Sequence, residues 1–195
     1  MNKKSILIAG LMMALTACSS TTQETQYYAL ALPTETLVQP TVNQQPVVQI
    51  RDIQLADYLN TVGVVYQQND VQLVSANQHR WAEALDKQLT RAMLSSLKKD
   101  LPAYQWQNTT NAADVPQLQV IVTGFQGKYD GHAVIQGNWQ LDVKQQHFSG
   151  DFSQDFPVKD DGYPALVRTL SQGWQQTIEH ISHQIQPLLP TKKAM

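Results

Sequence analysis

"HAVIQGNWQLDV", residues 132–143, decides the fold because apolar and polar residues alternate along its length. The apolar or small residues expected on the inner face are Ala133, Ile135, Gly137, Trp139, Leu141 and Val143. The opposite face is polar apart from Val134 and carries His132, Gln136, Asn138, Gln140 and Asp142. Because successive side chains of a strand point to opposite faces, this stretch predicts a strand with one buried and one wet face.

The flanking residues predict partners for this strand. Upstream, Leu118, Val120 and Val122 alternate in the same way, and Tyr129-Asp130-Gly131 supplies a tight turn between the two strands. Downstream, Phe148 and Phe152 indicate one more strand. The region therefore predicts a hairpin extended by a further strand.

Two amphipathic helices are expected outside this region, since apolar residues recur there every three or four positions. The second is marked by Tyr163, Val167, Leu170, Trp174, Ile178, Ile181, Ile185 and Leu188. Asp161 is expected to cap it, Pro164 fits its first turn, and Pro187 lies near its end. The first covers residues 81–101 and is marked by Trp81, Leu85, Leu89, Met93, Leu97 and Leu101.

Shorter strands are expected in the first half of the chain, where β-branched residues are dense. They are predicted at 27–32, 47–55, 62–67 and 71–75, with loops at 33–46 and 56–60. The order of elements predicts an α+β fold, an antiparallel or mixed sheet with two amphipathic helices packed on one face.

The first 18 residues have the pattern of a lipoprotein leader. Lys3 and Lys4 precede an uncharged apolar run that is shorter than the roughly 20 residues of a membrane span. The run ends in Leu15-Thr16-Ala17-Cys18, which resembles the bacterial lipobox and implies cleavage before Cys18 and lipid attachment to it. Ser19, where an Asp would imply inner-membrane retention, favours the outer membrane.

The chain is therefore divided into four segments. Residues 1–17 are the expected signal peptide, 18–26 the lipidated cysteine with a flexible tether, 27–190 a single α+β domain, and 191–195 a tail. The mature chain keeps 12 basic against 16 acidic residues once Lys3 and Lys4 are removed, a net charge of −4. This charge disfavours nucleic acid and anionic lipid surfaces as partners.

Catalytic and metal-binding patterns are weak, so no enzyme, cofactor or metal site is expected. His180 and His183 share a helical face but do not form the zincin spacing, and solvated histidines near a helix end explain them better. The acidic pairs Asp151/Asp155 and Asp160/Asp161 lie beside turn-forming residues, which favours capping or solvation over acid–base chemistry. Cys18 is the only position expected to have a chemical role.

Tyr58 and Leu59 are the candidate interface residues, for contact with a partner or a second copy of the chain. They place two large apolar side chains in a predicted loop, and tyrosine is enriched in binding hot spots. Local packing against the domain is the alternative, and the sequence favours neither.

An ordered set of stretches resembles the ABC-type transport auxiliary lipoprotein family. The matching stretches are "YYAL" (27–30), "ADYLNTVGVVYQQNDVQLVSANQHRWAEALDKQL" (56–89), "VIVTGFQGKYDG" (120–131), "VIQGNWQL" (134–141) and "DGYPALVRTL" (161–170), with Trp174 beyond them. Together they span most of the mature chain, whereas the loop at 33–46 and the tail at 191–195 match nothing in the family pattern.

The resemblance implies a function in lipid movement between two membranes. The implied partners are a tunnel-forming MCE-domain protein and an inner-membrane protein, and no catalytic residue is implied. Because MCE proteins form rings, a homo-oligomeric ring of this subunit is a further expectation. Our hypothesis is that the lipid-anchored chain docks the tunnel at the outer membrane. The alternative is a periplasmic lipoprotein that binds a small ligand or peptidoglycan.

Overall fold

The computed structural model describes residues 24–31, 45–110, 112 and 114–190. The predicted signal peptide, Cys18, most of the predicted tether, most of the predicted 33–46 loop and the 191–195 tail lie outside the described residues. The described residues form one mixed sheet of nine strands and two long helices, which confirms the predicted α+β class.

The strands of the first half are short and the helices are long. The elements in chain order are β1 (Gln26–Tyr28), β2 (Val47–Ile50), β3 (Gln54–Leu55), a 3₁₀ helix (Asp57–Leu59), β4 (Gly63–Gln67), β5 (Leu73–Trp81), α1 (Leu85–Asp100), β6 (Gln105–Gln107), β7 (Gln117–Lys128), β8 (His132–Val143), β9 (Gln146–Pro157), α2 (Tyr163–Ile185) and a 3₁₀ helix (Gln186–Leu188).

Strand β7 organises the sheet. One of its edges pairs antiparallel with β8, which pairs in turn with β9, so the predicted hairpin and the strand after it are both present. Its other edge pairs in parallel with β2, β3 and β4 at successive positions. Strand β4 pairs antiparallel with β5, and β1 joins β5 in parallel. The sheet is mixed because antiparallel hairpins and parallel pairs meet at β7.

The hydrophobic core lies between the sheet and the two helices. Trp174 of α2 is buried at its centre, where its ring meets Phe125 and Phe152 edge-on, with centroids 6.4 and 6.3 Å apart. Its indole N–H donates to the carbonyl of Leu89 in α1 at 3.3 Å, which joins the helices. Burying one such side chain stabilises the fold by about 2–3 kcal/mol from apolar transfer alone.

Several predicted boundaries were wrong for identifiable reasons. Strand β1 ends at Tyr28 because the next backbone N–H groups bond to side chains of the helices. The predicted strand 47–55 is broken between β2 and β3, where the N–H of Ile53 donates to Thr90 Oγ1 at 3.1 Å. Trp81, assigned to the first helix, is the last residue of β5 and packs against Phe125.

Three further differences concern short elements. The loop at 56–60 contains a 3₁₀ helix, and strand β6 was not predicted because it has only three residues, around the buried Trp106. Asp161 does not cap α2: the N-cap residue is Gly162, which adopts a φ of 91° that favours glycine.

Candidate functional site

The segment after the tether is fixed to both helices. The N–H of Leu30 donates to the buried Gln88 Oε1 at 2.8 Å, and the N–H of Ala31 donates to Ser171 Oγ at 3.1 Å. Gln88 also donates to the carbonyl of Glu83. These bonds replace the sheet ladder for the residues that follow β1, so the backbone at Leu30 and Ala31 is held by α1 and α2 together.

An aromatic cluster of Tyr28, His79 and Tyr163 lies at the entry of the chain into the domain. The Tyr28 hydroxyl donates to Gln26 Oε1 at 2.7 Å and is hydrogen-bonded to His79 Nδ1 at 3.0 Å. The His79 ring stacks on Tyr163 with centroids 4.0 Å apart. Burial raises the pKa of both tyrosines, so they act here as neutral hydroxyls. The cluster connects β1, β5 and the start of α2.

Tyr58 and Leu59 occupy different environments. Leu59 is 1% exposed and belongs to the core, so its side chain is not available at the surface. Tyr58 is 37% exposed, and its hydroxyl donates to the carbonyl of Thr123 at 2.7 Å and to Gln126 Oε1 at 3.2 Å. Burial raises the pKa of Tyr58, while the Gln126 bond acts in the opposite direction. The interface prediction therefore rests on the Tyr58 ring alone.

The face of the β7–β8–β9 sheet that points away from the helices is polar and largely exposed. Gln140 pairs across the ladders with Gln119 and Ser149, and Gln136 donates to Ser153 Oγ at 3.1 Å. We call this surface the open face. The residues that pair across the ladders on this face are Gln119, Ile121, Gln136, Asn138, Gln140, Ser149, Asp151 and Ser153, of which Ile121 alone is apolar.

A small open hollow lies where β4, β7 and the start of α2 meet. Its volume is about 260 Å³. Its lining includes the apolar Leu166 and the aromatic Tyr66 and Tyr163. The charged or polar lining residues include Lys128, His132 and Asp160. The volume lies below the roughly 300–1,000 Å³ of pockets for drug-sized ligands.

The described residues contain no group of three or more His, Cys, Asp or Glu side chains placed to hold a metal ion. His180 and His183 are exposed on α2, and His180 Nε2 lies 3.2 Å from Gln184 Nε2. The carboxylates of both predicted acidic pairs belong to exposed residues. Neither helix in the described part of the chain has the length and apolar character required to cross a bilayer.

A family model identifies the class of protein to which this fold belongs. The model described as "ABC-type transport auxiliary lipoprotein component" matches residues 28–182, most of the domain. The chain belongs to this family, as the sequence resemblance predicted.

Among curated relatives, "Intermembrane transport lipoprotein PqiC" of Escherichia coli (strain K12) is 32% identical over 189 residues, which are 96% of this chain and 100% of the relative. PqiC of Shigella flexneri matches equally. These relatives are named for transport and not for catalysis, which fits the prediction of a non-enzyme.

Two solved structures resemble the fold. A crystal structure of an uncharacterized protein has a TM-score of 0.75 at 34% identity and covers 84% of this chain and 99% of its own. A crystal structure of a protein from Xanthomonas campestris has a TM-score of 0.63 with the same coverage, and its 17% identity shows a shared fold only.

Sequence reasoning missed the residues that fix the N-terminal segment. Gln88 and Ser171 are buried polar residues on the inner faces of the two helices. A polar residue on an otherwise apolar helical face is the signal that could have found them, because a buried polar group needs a hydrogen-bond partner. His79 lies in residues 76–80, which the sequence pattern assigned to no element.

Proposed function

We propose that the chain is an outer-membrane-anchored periplasmic lipoprotein of an MCE-type intermembrane lipid transport system. In this role it docks the tunnel-forming partner at the outer membrane and supports envelope integrity. The observation that carries the proposal is the full-length correspondence with relatives named intermembrane transport lipoprotein. The proposed partners are an MCE-domain tunnel protein similar to PqiB and an inner-membrane protein similar to PqiA.

The proposed anchor is Cys18. Three acyl chains are typical of a bacterial lipoprotein, and each buried CH₂ contributes about 0.8 kcal/mol, so such an anchor does not detach readily. Cys18 lies eight residues before Gln26, the first residue of β1. Fully extended, these residues reach about 26 Å. An attachment of this length keeps the domain near the membrane and raises the effective concentration of its contacts there.

The packing of the domain favours docking over carrying lipid. A phospholipid in water exposes about 30 CH₂ groups, and shielding them is worth on the order of 24 kcal/mol. The core is filled by the domain's own side chains, including Trp174 and Phe125, and the hollow of about 260 Å³ is open and partly charged. The apolar conduit is therefore assigned to the MCE partner.

The open face and the exposed ring of Tyr58 are the surfaces proposed for contact with the tunnel or for a ring of identical subunits. Hydrogen-bonding side chains on an exposed sheet suit a contact that must also remain soluble before assembly. The alternative function, binding of a small ligand or peptidoglycan, would use the hollow with Lys128, His132 and Asp160.

Affinity capture of the full-length lipidated chain from gently solubilised envelopes tests the proposal, with mass spectrometry of the captured proteins. We expect an MCE-domain protein to dominate the capture, and the Cys18→Ala variant to capture less of it because the contact is no longer held at the membrane. Lys98→Ala, an exposed change on α1 away from the open face, serves as the control with the anchor intact.

Absence of an MCE protein under several mild detergents would overturn the docking function. Equally strong capture by the Cys18→Ala variant would support the partner but show that the contact does not require the anchor. Saturable binding of peptidoglycan fragments by the purified protein, lost on Lys128→Ala, would favour the alternative function.

A further inference from the structure

One end of the sheet carries exposed apolar side chains on adjacent turns. Gln67 at the end of β4 pairs with Lys128 at the end of β7, and it also pairs with Leu73 at the start of β5. The turns 68–72 and 129–131 are therefore neighbours, and we call this region the turn end. Val71 is 84% exposed, Leu73 40% and Tyr129 54%.

The pairing of β1 with β5 gives the distance between the start of the domain and the turn end. Tyr27 pairs with Arg80, which pairs with Gly63, four residues from Gln67 along β4. At about 3.3 Å per residue, Tyr27 lies roughly 13 Å below the turn end. Strand β7 has 12 residues and is therefore about 36 Å long. Its other end lies about 23 Å from the level of Tyr27 by the same spacing.

The direction of β1 indicates which end faces the membrane. Strand β1 is parallel to β5, and β5 runs away from the turn end. The chain therefore enters β1 at Gln26 from the turn-end side. The distance of roughly 13 Å to the turn end is about half of the roughly 26 Å that the residues from Cys18 to Gln26 can reach.

We propose that the turn end rests on the phospholipid surface of the membrane that holds Cys18. Val71, Leu73 and Tyr129 lie in the headgroup region, where tyrosine is enriched because its ring is apolar and its hydroxyl is polar. The proposal rests on the anchoring given under the proposed function. It fixes the orientation of the domain, so that the opposite end of β7–β9 faces the periplasm.

The charges at the turn end indicate that the membrane contact does not depend on electrostatic attraction. Lys128 pairs with Asp130 at 2.9 Å, and the remaining acidic residues outnumber the basic ones. The charged residues near this end are Asp70, Lys128, Asp130, Lys159, Asp160 and Asp161. Attraction to anionic lipids therefore contributes little, and the contact depends on the anchor and the apolar side chains.

Site-specific fluorescence in vesicles tests this orientation with the full lipidated chain. Cys18 is the only cysteine, and lipid on its sulfur blocks it, so an introduced cysteine is the one site that takes up a label. Gln72→Cys places the label at the turn end, and Gln145→Cys places it in the β8–β9 turn at the opposite end. Both residues are exposed. The vesicles contain phosphatidylethanolamine and phosphatidylglycerol with a headgroup-attached quencher.

We expect quenching of the label at position 72 and none at position 145, because the hairpin separates the two sites by about 40 Å. Raising the salt concentration should not reduce the quenching, because the acidic turn end gains no attraction from the anionic headgroups. The double substitution Val71→Ser with Tyr129→Ser should reduce the quenching at position 72. Val62→Ser, which removes an exposed apolar side chain away from the turn end, should leave it unchanged.

Equal quenching at both positions, or quenching at position 145 alone, would overturn the orientation while leaving the anchor intact. The anchor has a separate readout, since the lipidated chain should float with the vesicles and the Cys18→Ala variant should not. Failure of the wild-type chain to float, with its Cys18 open to labelling, would overturn the proposed anchoring itself.

Discussion

The two faces of the β7–β8–β9 sheet differ although the same three strands form both. The face covered by the helices carries Trp139 and Phe152, which lie over Gly150 and Gly137 respectively, and it meets Trp174 of α2. The open face carries glutamine, serine and carboxylate side chains exposed to solvent. Packing on the covered face therefore stabilises the fold, and the residues of the open face can change with little loss of packing.

Removal of the Trp174 side chain should have the largest effect on stability. Trp174→Ala leaves a cavity among Phe125, Phe152 and the Leu89 carbonyl, and we expect a loss of about 3–5 kcal/mol in the free energy of unfolding. Urea unfolding followed by circular dichroism measures it. A loss below about 1 kcal/mol would show that the covered face does not dominate stability, against the expectation for a buried tryptophan.

Gly173→Ala tests how closely α2 approaches the sheet. A Cβ at this position would lie 2.6 Å from the Phe156 ring and 2.9 Å from Ile135 Cδ1. Overpacking costs about 1–3 kcal/mol, and helix propensity returns roughly 1 kcal/mol. We expect a net loss of about 1 kcal/mol, read from the same unfolding curves. Gln172→Ala, the exposed neighbour on α2, is the control and should lose no stability.

Tyr58→Phe distinguishes a role of Tyr58 in local packing from a role in a partner interface. The substitution removes the hydroxyl that bonds to Thr123 and Gln126 but keeps the ring, so we expect a loss of about 1 kcal/mol in the free energy of unfolding. Capture of the partner should be unchanged by Tyr58→Phe and reduced by Tyr58→Ala. Capture by Tyr58→Ala as strong as that by Tyr58→Phe would remove the Tyr58 ring from the interface.

Asp52→Asn should have a small effect that depends on pH. Hydrogen bonds from Lys87 and Asn108 lower the pKa of the Asp52 carboxyl in the folded state. A carboxyl whose pKa is lower when folded stabilises the protein above its unfolded pKa, and this contribution is lost as the pH falls through the folded value. Thermal unfolding should show a small difference from wild type at neutral pH and none well below 3.8, the ordinary value.

Gln140→Lys on the open face should have the smallest effect on stability, within about 0.5 kcal/mol, because the residue is exposed and packs against no core group. If the open face is the docking surface, the added charge should nevertheless reduce capture of the partner. Lys144→Ala in the neighbouring turn provides the comparison. Unchanged capture would move the docking surface elsewhere.

The second half of the chain could be predicted well because its elements are long and regular. Alternation over residues 132–143 and helical spacing from Tyr163 onward each repeat several times, so single exceptions such as Val134 do not hide the period. The first half was predicted less accurately. Strands of two to four residues, such as β3 and β6, are too short to show a period and exist because β7 and β2 supply their partners.

For the candidate site, too, some features depended on contacts that no sequence pattern shows. Tyr58 and Leu59 were indistinguishable in sequence, and only packing placed Leu59 in the core while leaving the Tyr58 ring at the surface. The contacts of Leu30 with Gln88 and of Ala31 with Ser171 join residues 58 and 140 positions apart. No local pattern encodes such a pairing.

The α+β class, the two amphipathic helices, the hairpin at 117–143 and the resemblance to the family could all be recognised from the sequence alone. Each depends on local periodicity or on an ordered set of short stretches. The tertiary structure decided how the parts are joined. It placed β1 parallel to β5, fixed Leu30 and Ala31 to the two helices, and brought Val71, Leu73 and Tyr129 to one end. These contacts join residues far apart in the chain, so no local sequence pattern specifies them.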